Sequence, residues 1–204
     1  YTVTSYCDEP RNLSSGHFTF SSKEVSTAIE ALSSNKAPGP DGVPADVFKA
    51  APKVWGPLLA NVLNAAASNG APPNWGDSVI APIFKKGDRN SPGCYRPISL
   101  INSIVKVIGA ILLERLSTWA TSCNFFSRAQ YGFRKKLSTL DQGLNFHLIS
   151  SKYVLAKRQP LYVAFMDLSQ AFDSVNRIKL WEILYKIGIE ANLVDFIRDI
   201  HAST

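Results

Sequence analysis

The sequence predicts an α/β (α+β) fold that is rich in helices and carries one β-hairpin and one buried strand. Apolar residues recur at helical spacing in several stretches, two β-rich runs flank a loop with glycine and proline, and residues 161–166 form a short apolar run. A chain of 204 residues with 46% hydrophobic residues can bury a core. No stretch approaches the roughly eighteen consecutive apolar residues of a membrane span.

The helices are predicted from caps, apolar spacing and proline. Ser21 to Glu24 matches a capping box, and a helix of about a dozen residues should follow and end near Asn35. The Pro-Gly loop at 38–42 cannot continue it, and Asp41 is expected to fix that turn. Pro44 suits a helix start. Two short helices should follow, divided by Pro52 and Pro57. Further helices are predicted over 101–119, 138–157, 178–187 and 193–200.

The strands come in two kinds. Residues 79–84 and 96–100 should pair as a hairpin with a long basic tip. Residues 161–166, LYVAFM, read as a strand buried on both faces that ends in Asp167, next to solvent at a sheet edge. A carboxylate there can bind a metal ion, although an Asp that merely starts a turn is the alternative.

The net charge of +6 is unevenly distributed, since residues 85–136 hold ten lysines and arginines against two acids. Such a segment is typical of a nucleic-acid partner, and a solvated basic face is the alternative. Cys7, Cys94 and Cys123 contain no CxxC pair, so neither a zinc site nor a disulfide framework is indicated. Together with an N-terminus that lacks a secretory leader, this predicts an intracellular protein that is not secreted.

Five blocks in one order resemble the reverse transcriptases of non-LTR (LINE-type) retrotransposons. They are NKAPGPDGVPADVFKA (35–50), VIAPIFKKGD (79–88), CYRPISLINSIVKVIGAILLERL (94–116), QYGFRKKLSTLDQ (130–142) and LYVAFMDLSQAFDSVN (161–176).

The resemblance implies the fingers and partial palm of a right-hand polymerase. Residues 1–20 would be a linker or arm, 21–159 the fingers region, and 160–204 a partial palm with the first catalytic motif. The implied activity is RNA-directed DNA polymerisation on a template RNA and a DNA primer with deoxynucleoside triphosphates, in the cytoplasm or nucleus. The second acidic motif of the family does not occur in these residues, so the segment alone is expected to be inactive. A non-catalytic nucleic-acid-binding module of the same ancestry is the alternative.

The same resemblance assigns roles at the end of the apolar run. Asp167 would be catalytic and, with the Leu168 carbonyl, would hold one of two Mg²⁺ ions, which prefer hard oxygen ligands. Phe172 would be the steric gate against a ribose hydroxyl, with a core aromatic as the alternative. Asp173 is interpreted as a cap of the next helix instead of a metal ligand.

Two further groups are implied to contact substrate. Arg96 and either Lys85 or Lys86 would hold the triphosphate, with the choice between the lysines left open. The second of these groups would contact nucleic acid: Gln130, Tyr131, Gly132, Phe133, Arg134 and Lys135. A structural turn with buried aromatics is the alternative for Tyr131 and Phe133.

Overall fold

The computed structural model describes residues 18–168 and 171–202. Within them lie seven α-helices and one two-stranded antiparallel sheet, which confirms a helix-rich α+β fold. The helices are α1 (Ser22–Ala31), α2 (Ala45–Lys49), α3 (Pro52–Asn69), α4 (Ser103–Ser122), α5 (Thr139–Ser150), α6 (Arg177–Lys186) and α7 (Ala191–His201), and the strands are β1 (Ser78–Phe84) and β2 (Tyr95–Ile101). In the described part of the chain, no helix is long and apolar enough to cross a membrane.

The chain divides into two compact units. Described residues up to 118 and from 177 onward form the first unit, and described residues within 119–176 form the second. Most of the predicted arm, residues 1–17, lies outside the described residues. Phe20, at its end, is buried and packs with Phe18 and Phe196 in the first unit.

The core of the first unit is apolar and is shared by α1, α3, α4 and α7. Ile29, Leu63 and Ile108 are among its fully buried side chains, and Phe196 joins it from α7. The helices α1 and α3 approach closely at Gly56, where an added Cβ would lie 1.9 Å from the Ser26 hydroxyl oxygen. Burial of these apolar side chains is the main stabilising contribution to this unit.

Helix α1 begins as its cap predicts, with the Ser21 hydroxyl accepting a hydrogen bond from the Glu24 N–H at 3.2 Å. The Glu24 carboxylate is engaged by Arg115, whose Nε and Nη2 donate to its two oxygens at 2.7 and 2.6 Å. Arg115 also donates to the Thr19 carbonyl and lies over the Phe18 ring. One arginine therefore ties α4 to α1 and to the segment before it.

The predicted division at Pro57 is wrong, because α3 runs from Pro52 through Pro57 to Asn69. Pro57 lacks the N–H that would bond the Lys53 carbonyl, so the helix loses one bond near its first turn. The packing of α3 on α1 maintains the helix past that point. The other predicted helices occur close to their expected bounds, including α5, where Ser138 and Asp141 form a complete capping box.

The predicted buried strand at 161–166 is also wrong. These residues have no regular secondary structure, and Tyr162 and Met166 are 91% and 96% exposed. Among the described residues the sheet consists of β1 and β2 alone, so the segment has no ladder partner. A β-rich apolar run can form a strand only when a neighbouring strand satisfies its backbone groups.

Candidate active site

The basic hairpin is built as the sequence predicts. Strands β1 and β2 pair antiparallel with Ile83 opposite Arg96 and Phe84 opposite Tyr95. The ladder continues one step, since the Lys85 N–H donates to the Cys94 carbonyl at 2.8 Å. The tip of the hairpin is therefore the loop 85–94, and the strand register determines which residues lie opposite each other at its two ends.

Side chains alternate between the two faces of this hairpin. Directly opposite residues share a face, so Ile83, Lys85 and Arg96 lie on one face, which we call the cationic face. Phe84 and Tyr95 lie on the other, which we call the aromatic face, and their rings pack with centroids 5.4 Å apart. Lys85, Lys86 and Arg96 are all exposed to solvent.

A cavity of about 520 Å³ lies on the aromatic face, between the strands and the loop. The loop is held there by two contacts: the Tyr95 hydroxyl donates to the Arg89 carbonyl at 2.9 Å, and the Arg89 guanidinium lies 5.2 Å from the centroid of the Phe84 ring. The cavity is lined by proline rings, one tyrosine, one arginine and one asparagine, namely Pro82, Pro92, Pro97, Tyr95, Arg89 and Asn90.

The Pro-Gly loop is fixed to the base of the hairpin by a buried asparagine that sequence reasoning missed. Asn102, 4% exposed, accepts from the Asp41 N–H at 3.2 Å and donates to the Asn74 carbonyl at 3.1 Å. Buried Ser103 donates to the Val43 carbonyl at 2.7 Å. As predicted, Asp41 fixes its own turn by accepting from the Val43 N–H. The available signal was the polar pair Asn102-Ser103 between two apolar stretches, because polar side chains that become buried there must be hydrogen-bonded.

Asp167 lies in the second unit, in the segment 161–168, which has no regular secondary structure, and it is exposed to solvent. Leu168 and Phe172 are 79% and 82% exposed, and Phe172 belongs to a turn at 171–174. Asp173 lies in the same turn, and because α6 begins at Arg177, Asp173 is not its N-cap, contrary to the interpretation above. Among the described residues, no three His, Cys, Asp or Glu side chains form a group that could hold a metal ion.

The segment 130–135 also lies in the second unit and combines a fixed turn with an exposed ring. Arg134 donates to the carbonyls of Ser127 and Gln130 at 3.1 and 3.2 Å and lies over the Phe126 ring, so its guanidinium stabilises the turn. Phe133 is 95% exposed and has a φ of 60°, in the left-handed region that bulky residues rarely adopt. The buried alternative is therefore wrong for Phe133.

Tyr131 is half-buried, and its hydroxyl accepts a hydrogen bond from the Asn145 side-chain amide at 2.9 Å. Gly132 is half-buried, whereas Gln130 and Lys135 are exposed. Tyr131 and Gly132 also line a cavity of about 410 Å³ together with Phe146, Phe165 and three residues of the α5 region, Thr139, Gln142 and Gly143.

The candidate residues are distributed over both units. Lys85, Lys86 and Arg96 belong to the first, and the residues at 130–135, 167–168 and 172 belong to the second. Within the first unit the hairpin register places Lys85 and Arg96 on one face, and within the second the turn at 130–134 holds Phe133 exposed.

A family model and several curated proteins that match this chain all describe reverse transcriptases. The family model described as "Reverse transcriptase (RNA-dependent DNA polymerase)" matches residues 83–202, which is more than half of the chain. Similar curated proteins from Drosophila melanogaster include the "Probable RNA-directed DNA polymerase from transposon BS", 33% identical over 75% of this chain and 17% of that protein. The RNA-directed DNA polymerase from mobile element jockey is 29% identical over 85% of this chain and 19% of its own length. The chain thus spans less than a fifth of the length of these relatives.

Proposed function

The chain belongs to the reverse transcriptase family, and from this premise we propose that it is a segment of an RNA-directed DNA polymerase of a non-LTR (LINE-type) retrotransposon. The observation that carries the proposal is the family match over 83–202, which includes the whole loop 85–94, β2 and Asp167. The complete protein would extend a DNA primer on a template RNA with deoxynucleoside triphosphates. Because these substrates occur inside cells, the polymerase activity would take place in the cytoplasm or the nucleus.

Asp167 would be the metal-binding and catalytic carboxylate. It is solvent-exposed, and a carboxylate is the hard oxygen donor that Mg²⁺ prefers. The Leu168 carbonyl would be a second donor, and the remaining ligands would come from phosphate oxygens and from acidic residues elsewhere in the longer protein. When bound, two Mg²⁺ ions would activate the primer hydroxyl and hold the triphosphate.

The primer-extension activity of the complete protein tests this assignment. We expect Mg²⁺-dependent extension on an RNA template and its loss, by about three orders of magnitude or more, in Asp167→Asn, because the amide keeps the shape but loses the charge that the metal ions require. RNA binding should be unchanged in the variant. RNA binding with no extension by the unmodified complete protein would favour a non-catalytic nucleic-acid-binding module.

The 204-residue chain alone should extend no primer, because one carboxylate cannot assemble the metal pair. Extension by this chain under the same conditions would contradict that expectation.

We propose that residues 161–166 become a strand in the complete protein. The side chains of residues 162–166 are exposed and largely apolar, and the backbone groups of the segment need a neighbouring strand. Hydrogen exchange tests this, because a strand inside a sheet is protected. The amides of 162–166 should exchange slowly in the complete protein and rapidly in the 204-residue chain. Equal, rapid exchange in both would contradict the proposal.

The cationic face would hold the triphosphate, and its register favours Lys85 over Lys86. Lys85 and Arg96 share that face, whereas Lys86 is the next residue after the ladder ends. Arg96 would present its planar fork and Lys85 its compact charge to phosphate oxygens. In the complete polymerase, Lys85→Ala should raise the KM for nucleotide about tenfold or more, and Lys86→Ala should have a much smaller effect. The reverse order would contradict the choice.

Phe133 and Lys135 would contact nucleic acid, while Arg134 would support them. The exposed Phe133 ring, held by a turn that Arg134 stabilises, is suited to stack on a base. Phe133→Ala should weaken RNA binding by roughly tenfold, and Phe133→Tyr, which keeps an aromatic ring, should not. Gln130, Tyr131 and Gly132 would shape the same turn.

Phe172 would act as the steric gate in the complete protein. Its ring is exposed in the turn at 171–174, so it is available to a sugar. Phe172→Val should relax discrimination against ribonucleotides, because the space for a 2′ hydroxyl is opened. Unchanged discrimination, with extension intact, would remove this role.

A further inference from the structure

The cavity on the aromatic face of the hairpin is not used by the proposed chemistry. It lies in the first unit, on the face opposite to Lys85 and Arg96, and its lining is unusual in composition. Three proline rings and the Tyr95 ring give it flat apolar walls, and Arg89 and Asn90 give it a cation and an amide. Its volume of about 520 Å³ is within the range of sites that hold small molecules or one nucleotide.

From these features we propose that the cavity takes one unpaired base of a single-stranded nucleic acid, stacked on Tyr95 with its phosphate near Arg89. Flat rings stack on aromatic and apolar surfaces, and this contact tolerates any base because each base has a π face. The Asn90 amide can donate to and accept from a base edge. Within the first unit, residues 85–118 hold six lysines and arginines against two acids, an excess of positive charge that attracts the phosphate backbone.

The cavity is held in shape before any ligand arrives. The Tyr95 hydroxyl donates to the Arg89 carbonyl, and the Phe84 ring contacts both the Tyr95 ring and the Arg89 guanidinium. The Asp88 carboxylate accepts from the Asn90 N–H at 2.9 Å and fixes the turn of the loop. Little conformational entropy is therefore lost when a base enters, which favours binding.

The occupant of the cavity is a base that belongs to a nucleic-acid strand and not the base of the incoming nucleotide. This step rests on the proposed function, in which Lys85 and Arg96 hold the triphosphate on the cationic face. The sheet separates the two faces, so a nucleotide bound through its phosphates on the cationic face cannot place its base on the aromatic face. The single-stranded nucleic acid would thus contact the aromatic face of the hairpin, and the nucleotide would contact the cationic face.

Photocrosslinking of the complete protein tests the proposal. RNA templates with a single 5-iodouracil at successive positions are bound, irradiated and digested, and the crosslinked peptide is identified by mass spectrometry. We expect a crosslink to Tyr95 from one or two adjacent template positions, unchanged by saturating deoxynucleoside triphosphates. Tyr95→Phe, which keeps the ring but loses the bond to the Arg89 carbonyl, should still crosslink at position 95 from the same template positions. Tyr95→Ala should weaken RNA binding by roughly tenfold. Arg89→Ala should lower the salt dependence of RNA binding by about one counterion.

Ile98→Ala is the matched control, because Ile98 is an exposed residue of the same strand that lies on the cationic face. It should leave both the crosslink and RNA affinity unchanged. Crosslinks confined to residues other than Tyr95, with Tyr95→Ala binding RNA normally, would overturn the inference. Loss of the Tyr95 crosslink on adding free nucleotide would also overturn it.

Primer extension, measured on the same samples, separates this inference from the proposed function. Normal extension with no Tyr95 crosslink refutes the base site alone. A Tyr95 crosslink without extension supports the base site and refutes the polymerase assignment.

Discussion

Gly39 is the position where the anchoring of the Pro-Gly loop can be tested most directly. A Cβ on this residue would lie 2.4 Å from the Asn102 nitrogen and 2.4 Å from the Ile101 carbonyl carbon, both of them backbone atoms. Because such atoms cannot rotate away, Gly39→Ala must shift the loop by about an ångström. Overpacking of this kind costs about 1–3 kcal/mol.

The shift also weakens the bonds that Asn102 makes to the Asp41 N–H and the Asn74 carbonyl, each contributing about 1 kcal/mol. Replacing glycine by alanine also lowers the conformational entropy of the unfolded chain, which offsets about 0.4–1 kcal/mol of this loss of stability. We expect a net loss of about 2–4 kcal/mol, which is a large part of the roughly 5–15 kcal/mol that holds a domain folded.

Urea unfolding of the 204-residue chain measures this loss. Unfolding is followed by the loss of helical circular dichroism and by the fluorescence of the four tryptophans, of which Trp75 is buried next to Asn74. The matched control is Gly109→Ala within α4, where an added Cβ has no neighbour within 4 Å and should stabilise the helix by about 0.5–1 kcal/mol. A Gly39→Ala variant that unfolds at the urea concentration of the unmodified chain would refute the reasoning.

Three further predictions concern the first unit. Arg115→Lys should cost about 1–2 kcal/mol, because lysine cannot bond both Glu24 oxygens and the neighbouring carbonyl in one plane, and urea unfolding would detect the change. Leu63→Ala should cost about 2–5 kcal/mol in the same assay because Leu63 is fully buried, whereas Leu58→Ala on the exposed side of the same helix should cost less than about 1 kcal/mol. Partial burial lowers the pKa of His201 from 6.5, so stability should be fully present above that pH and fall as the pH decreases toward the lowered value. His201→Gln should flatten this part of the pH dependence, and an identical slope in the variant would show that another group is responsible.

Several predictions from the sequence are wrong for one physical reason: a local pattern does not specify which distant residues a helix or side chain will contact. Pro57 breaks an isolated helix, yet α3 continues through it because α3 packs on α1. The local pattern predicts that the Glu24 side chain completes a capping box, whereas its carboxylate accepts hydrogen bonds from Arg115, 91 residues away. The local pattern predicts a cap at Asp173, but the next helix begins four residues later.

The sequence by itself determined the positions of most helices, the hairpin with its basic loop, and the family, because caps, apolar period, turn residues and the order of the motifs can be read along the chain. Tertiary structure alone decided that Lys85 shares a face with Arg96, that Asn102 anchors the Pro-Gly loop, and that residues 161–166 pair with no strand among the residues that the structure describes. These features depend on strand register and on contacts between residues far apart in the chain. Such contacts form only when the chain folds, so periodicity and composition cannot encode them residue by residue.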